Sequence, residues 1–210
     1  MPPVQPRSPE EESVREEAVA DRASVQEFVA AQRPRRADAR RNFDALLAAA
    51  REAFAEQGAD ASLEDIARRA GVGIGTLYRN FPTRRHLFET VYAEEVDALC
   101  VLADELGGRP AWEALTTWID RFVEYTVTKR AVREGLNGES GIFVSCRVSM
   151  MGAGEPLLRR AQDSGEARTD VDFDDLLRMI AGIAATTFPT AEQRDRVVGI
   201  ALDGVRAARG

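Results

Sequence analysis

The stretch Ser62-Leu-Glu-Asp-Ile-Ala-Arg-Arg-Ala-Gly71-Val-Gly-Ile-Gly-Thr-Leu-Tyr-Arg-Asn-Phe81 decides the fold of this chain. Ser62 can accept a hydrogen bond from the amide of Asp65, and the Asp65 carboxylate suits the positive first turn of a helix. Ile66, Ala67 and Ala70 then form an apolar stripe, and Gly71 permits the positive φ of a tight exit. After Val72 and Gly73 a second, very short helix is predicted from Ile74 to Asn80. Only Leu77 and Phe81 commit it to a core, so Thr76, Tyr78, Arg79 and Asn80 are left to face outward. Two short helices joined through a glycine turn, the second carrying small, hydroxyl and amide side chains, are the geometry that enters a DNA major groove.

Working outward, residues 37–57 read as a long helix with Leu46, Leu47, Ala50, Ala53 and Phe54 on one face, and Gly58 is placed to stop it. Downstream, Pro82 ends the short helix and Thr83 can cap the next, which runs from Arg84 through Leu87, Phe88 and Val91 toward Leu106. Gly107-Gly108-Arg109-Pro110 is a clear break. Beyond it, helices are expected near 111–129, 132–136, 142–151, 156–164, 172–187 and 191–208. No strand run is visible. The fold class is therefore all-α: an N-terminal three-helix helix-turn-helix domain over 34–83, then a larger helical ligand-binding and dimerisation domain over 84–210. Residues 1–33, rich in Pro and Glu, are expected to form a mobile extension, with Val25, Phe28 and Val29 able to line a short helix.

Charge distribution agrees with a nucleic-acid partner although the total, −7 over 210 residues, is acidic. From Arg33 to His86 there are 11 Lys/Arg against 7 Asp/Glu, a net +4, which leaves −11 for the rest of the chain. One segment is basic among acidic surroundings, as phosphate neutralisation requires. No apolar run approaches the roughly 20 residues of a membrane span and the start lacks a secretory signal, so a cytoplasmic protein is expected. Cys100 and Cys146 are far apart and read as small buried apolar residues, and His86 is the only histidine. No metal site and no cofactor are expected.

The segments Phe54-Ala-Glu-Gln-Gly58, Ser62 to Ala70, and Gly71 through Tyr78 and Phe81 to Arg84 resemble the DNA-binding domain of the TetR family of repressors, over roughly Arg40 to Tyr92. The resemblance implies that Thr76 and Tyr78 contact backbone and base edges, that Ile74 and Gly75 lie on the same face, and that Gly75 allows close approach. Asn80 stands where the family often has histidine and can donate to phosphate through its amide. Arg84 replaces a common lysine, exchanging a point charge for a planar fork. Gly73 replaces a common serine cap, a change worth a few tenths of a kcal/mol. Phe43 stands where a polar or basic residue would be expected, so the first helix contributes through Arg40 and Arg41.

The second half resembles one subset of TetR-type regulatory domains, in Trp118 to Arg130 and Gly165 to Leu177. An interhelical pocket is the usual ligand place in such a fold, and Trp118, Phe122, Tyr125, Phe143, Cys146, Met150 and Met179 are its candidates, with plain core packing as the alternative for each. The family's last two helices pair with their copies, which implies a homodimer interface through Leu176, Ile180, Ile183, Val198, Ala201 and Val205, with Gly182, Ala184 and Gly199 permitting close approach. The implied function is a sequence-specific transcriptional regulator, a repressor released from palindromic operator DNA by a small-molecule effector, with no enzymatic activity. Two competitors remain: a ligand-blind DNA-binding factor and a helical enzyme. Against the enzyme, Ser140 is not in a nucleophile elbow, and Asp170, Asp172, Asp174 and Asp175 read as a helix start. The glycines 71, 73 and 75 do not follow a strand, as a nucleotide loop would require.

Overall fold

Side-chain caps set the helix starts that the sequence marks. In the computed structural model, which describes the backbone of residues 9–135 and 141–207 and the side chains of 20–126 and 141–207, Ser62 accepts from the amide of Asp65 at 3.3 Å and Thr83 from that of His86 at 3.0 Å. Asp172 and Thr190 do the same for Asp175 and Gln193. Nine helices result among the described residues: α1 (Pro9–Gln32), α2 (Ala37–Gln57), α3 (Leu63–Arg69), α4 (Ile74–Asn80), α5 (Arg84–Glu105), α6 (Ala111–Gly135), α7 (Gly141–Asp163), α8 (Phe173–Ala184) and α9 (Ala191–Asp203). No strand is present among the described residues, apart from one isolated bridge between Ala167 and Arg206. The fold is all-α, as expected.

Three elements differ from the sequence expectation. The helices expected near 111–129 and 132–136 are one helix, α6, and those near 142–151 and 156–164 are one helix, α7, with Pro156 inside it. A proline removes one helical hydrogen bond. Cys146, Ser149, Met150, Leu157, Leu158 and Ala161 nevertheless form an unbroken buried stripe along α7, and burial of that stripe outweighs the lost bond. The C-terminal end is shorter than 208: α9 stops at Asp203, and Val205 to Ala207 instead exchange backbone bonds of 3.0 Å with Glu166 and Arg168.

The N-terminal extension is the larger correction. Pro9 to Gln32 is helix α1, not a mobile tail, and it packs on α7 and α5. Val25 and Val29 are buried there and Phe28 is half-buried. Arg22 on α1 pairs with Asp104 on α5 through both guanidinium nitrogens. Every third or fourth residue that was apolar had somewhere to go, but the partner lies on helices about 70 or more residues away and leaves no local trace.

α5 is the spine. Its first turns pack into the helix-turn-helix head, where Phe88 stacks on Phe54 with ring centroids 4.3 Å apart, and its second half packs on α6 and α7. A helix surrounded in this way is buried on most sides, which explains its weak amphipathic pattern. Head and body share one continuous apolar cluster running from Phe43 and Leu46 to Leu176 and Ile180.

Candidate nucleic-acid interface

The turn between α3 and α4 is built from the backbone. Gly71 has φ +68°, and the amide of Val72 reaches back to the carbonyl of Ala67 at 3.0 Å, closing α3. Thr76 N bonds Gly73 O at 2.8 Å and opens α4. α4 is then fixed to the head by Leu77 and by Phe81, both fully buried, with Phe81 stacked on Phe43 of α2 at 5.1 Å. Phe43, which the family resemblance would have made polar, therefore works as the anchor for the end of α4.

With Leu77 turned inward, the opposite face of α4 is open: Ile74 is 38% exposed and Tyr78 47%. A Cβ placed on Gly73 or Gly75 would meet nothing within 4 Å. Neither glycine is required by packing inside this chain, which fits a surface that something else approaches closely. Thr76 and Asn80 are half-buried beside them. Asn80 Nδ2 donates to the Thr76 carbonyl at 2.8 Å, Arg79 Nε to the Gly75 carbonyl at 3.1 Å, and an Arg79 terminal nitrogen to Thr76 Oγ1 at 3.2 Å. The polar side chains of α4 are thus held over their own helix before any ligand arrives. Arg79 was read as facing outward but was not counted among the site residues; its spacing from Thr76 on a seven-residue helix was the available signal.

Arg84 is placed differently from the expectation. Its guanidinium donates to the Ala59 carbonyl and lies 5.2 Å over the ring of Phe88, so it braces the turn after α2 instead of standing free. Arg40 and Arg41 are exposed at the start of α2, Arg40 donating to the Pro34 carbonyl at 3.3 Å and Arg41 pairing with Asp38. Arg68 and Arg69 are both committed to Asp65, and those two bonds hold its carboxyl below the ordinary range.

In the body, Trp118, Phe122, Tyr125, Cys146 and Met150 come together as one buried block, with half-buried Phe143 set edge-on against Tyr92 at 4.7 Å. Trp118 and Phe122 are nearly parallel at 5.7 Å, Trp118 Nε1 donates to Leu99 O at 2.9 Å, and Tyr125 donates to the Tyr92 hydroxyl at 2.8 Å. Burial holds the Tyr125 hydroxyl well above its ordinary value. Met179 is not part of this block; it is 38% exposed on the outer face of α8. Tyr92 and Phe173 are the members that the sequence did not single out. A separate groove of about 230 Å³ between α6 and α9 is lined by Asp120, Val123, Glu124, Arg194, Asp195 and Val198. The masked part of the expected helix near 132–136, Leu136, lies outside the described residues.

The expected dimer residues divide. Leu176, Ile180, Val198 and Val205 are buried in the chain's own core and cannot form an interface. A helix must first bury its main apolar stripe against its own chain, and these four are that stripe. Ile183 and Ala201 are half-buried at its edge. The side chains left outside on α8 and α9 are Met179 and Ile200, the latter 70% exposed. Beside them a Cβ on Gly182 or Gly199 would meet nothing within 4 Å.

A helix-turn-helix whose second helix is presented outward, carried on a larger helical body, defines a DNA-binding regulator. The family model for bacterial regulatory proteins of the tetR family matches residues 46–91, and that for the C-terminal domain of SbtR-like transcriptional regulators matches 110–207. The crystal structure of a TetR transcriptional regulator from Streptomyces coelicolor is 38% identical, covers 80% of this chain and 99% of that one, and superposes with a TM-score of 0.68. The transcriptional regulator SrpR of Pseudomonas putida is 26% identical over 180 residues, 79% of this chain and 84% of that protein. A regulator of Staphylococcus aureus is 36% identical over 85 residues, which span 39% of this chain and 44% of that protein. The chain belongs to the TetR family of transcriptional regulators, which are DNA-binding proteins and not enzymes. No helix among the described residues is long and apolar enough to cross a membrane.

Proposed function

We propose that this protein is a homodimeric repressor that binds a palindromic operator through α4 and is released by a small-molecule effector bound in the body. The observation that carries the reading is the outward face of α4, where Ile74 and Tyr78 stand exposed beside two glycines that nothing in the chain crowds. Thr76, Tyr78 and Asn80 contact the duplex, Gly75 admits the backbone closely, and Arg79, Arg40 and Arg41 supply positive charge around them. Arg84 supports the head from behind. The head spans 34–83 and the sensor and dimerisation body 84–210, with α1 as an added helix on the body.

A second copy meets the first through Met179, Ile183, Gly182, Gly199 and Ile200, and the two-fold axis of such a dimer matches a palindrome. Effector in the aromatic block around Trp118, Phe122 and Tyr125 tilts α5, which passes from that block into the head, and changes the spacing of the two α4 helices. A coupling of about 1–3 kcal/mol would change operator affinity roughly 5–150-fold.

The test is selection of duplex fragments by the purified full-length protein, followed by Tyr78→Ala on the selected duplex. Affinity should fall about tenfold or more, with the melting temperature unchanged because Tyr78 is exposed. Equal affinity of the variant and the parent would remove Tyr78 from the interface, and failure to select any duplex at low salt would overturn the reading as a whole.

A further inference from the structure

The four residues between α1 and α2 are fixed at both ends. Gln32 Oε1 lies 2.8 Å from His86 Nε2, Arg33 pairs with Glu94 at 2.9 Å, and the carbonyls of Pro34 and Arg36 accept from the side chain and amide of Arg40 at 3.3 and 2.9 Å. Pro34 adds its own restriction on φ and on the residue before it. The position of this linker follows from the same contacts. His86 lies in the first turn of α5 with its ring 6.0 Å from Phe81, and Phe81 ends α4. Residues 33–36 therefore sit at the corner where α4 ends and α5 begins.

At that corner Arg35 and Arg36 are exposed, and among the described residues neither guanidinium has a hydrogen-bond or ion-pair partner. Their neighbours Arg33, Arg40 and Arg41 all have one. Two adjacent cations held on a fixed backbone, in a chain that is acidic everywhere outside residues 33–86, repel each other until an anion arrives. A guanidinium suits phosphate geometry, and a linker already ordered by its end contacts loses little further freedom on binding.

We propose that residues 33–36 form a second DNA-contacting element, in which Arg35 and Arg36 bind backbone phosphates on the flank of the duplex segment that α4 reads. The proposal rests on the DNA-binding reading above and adds to it a contact that positions the protein without reading sequence. Through Gln32 and Arg33 the same element is attached to α1, which lies along α7.

The experiment is a salt titration of binding with the full-length protein, its Arg35→Ala/Arg36→Ala double variant and an Arg35→Lys/Arg36→Lys variant. Each is measured on the selected duplex and on an unrelated duplex of equal length. The alanine pair should weaken both duplexes alike, leave their affinity ratio unchanged, and flatten the slope of log K against log salt by about 1.8, or 0.9 for each phosphate released. The lysine pair should keep the slope. Hydroxyl-radical protection at the outer edge of the footprint should be lost in the alanine variant only. An unchanged slope with unchanged protection overturns the proposal while leaving the role of α4 intact. A changed affinity ratio with no change in slope overturns it as well, because that would be base reading. A parent protein that binds no duplex overturns both readings together.

Discussion

Arg51 on α2 donates to Glu94 on α5 across 2.8 Å, joining the DNA-binding head to the spine of the body. Arg51 also lies 2.6 Å from Glu95, which takes a further bond of 2.7 Å from Arg121 on α6, while Glu94 is shared with Arg33. Both carboxylates are buried, so each needs its cations. The network ties the linker, α2, α5 and α6 at the level where the head meets the body. It gives any tilt of α5 a direct path to α2.

Arg51→Leu should therefore destabilise the protein by about 2 kcal/mol, the range for losing hydrogen bonds to a charged group. The loss is not larger because Glu94 and Glu95 each retain one arginine. Urea denaturation measures it. A change within about 0.5 kcal/mol, the usual range for surface substitutions, would show that the network is not stabilising.

Two glycines should respond oppositely to alanine. A Cβ on Gly154 would collide with Phe173 and lie 2.9 Å from Trp118 Cη2. Gly154→Ala should cost about 2 kcal/mol despite the better helix propensity of alanine, because overpacking wins in a filled core. At Gly75 the added methyl meets open space. Gly75→Ala should raise stability by about 0.5 kcal/mol and weaken operator binding about tenfold, or about 1.4 kcal/mol. Melting curves and binding titrations of both variants check the pair.

The bond from Arg22 holds the Asp104 carboxyl below its ordinary value of 3.8. A depressed folded value means that the stabilisation is complete above the unfolded value and is lost as pH falls through the folded one. The pair is partly exposed, so its contribution is about 0.5 kcal/mol. Asp104→Asn should be less stable than the parent by that amount at about pH 7 and match it below about pH 3, as read by urea midpoints across pH.

Ile200→Asp should shift the protein toward monomer in sedimentation equilibrium without lowering the stability of the monomer, because Ile200 is 70% exposed. Val198→Asp should instead unfold the chain, since Val198 lies in its own core. An unshifted Ile200→Asp dimer would place the interface elsewhere.

Burial pushes the Cys100 thiol up to about 12 and the Cys146 thiol further in the same direction. Neither should react with a thiol reagent at about pH 8 in the folded protein, and both should react in denaturant, since only the thiolate is the nucleophile. Reaction of either before unfolding would show that the body opens locally.

Local chemistry was legible in the sequence wherever the physics is local. Ser62, Thr83, Gly58 and Gly71 set helix ends through bonds to residues a few positions away, so the head, its turn and the open face of α4 could be read directly. The apolar stripes of α8 and α9 were legible too, but what they face was not. A stripe states that a surface will be buried and says nothing of whether its own chain or a second copy buries it, which is why Leu176, Ile180, Val198 and Val205 were assigned to the wrong contact. The tertiary structure alone decided that α1 docks on α5 and α7, that Arg84 turns inward to Ala59, and that Glu94 and Glu95 gather arginines from three separate segments. Those contacts join residues remote in sequence, and each side chain's partner is fixed only once the helices have packed.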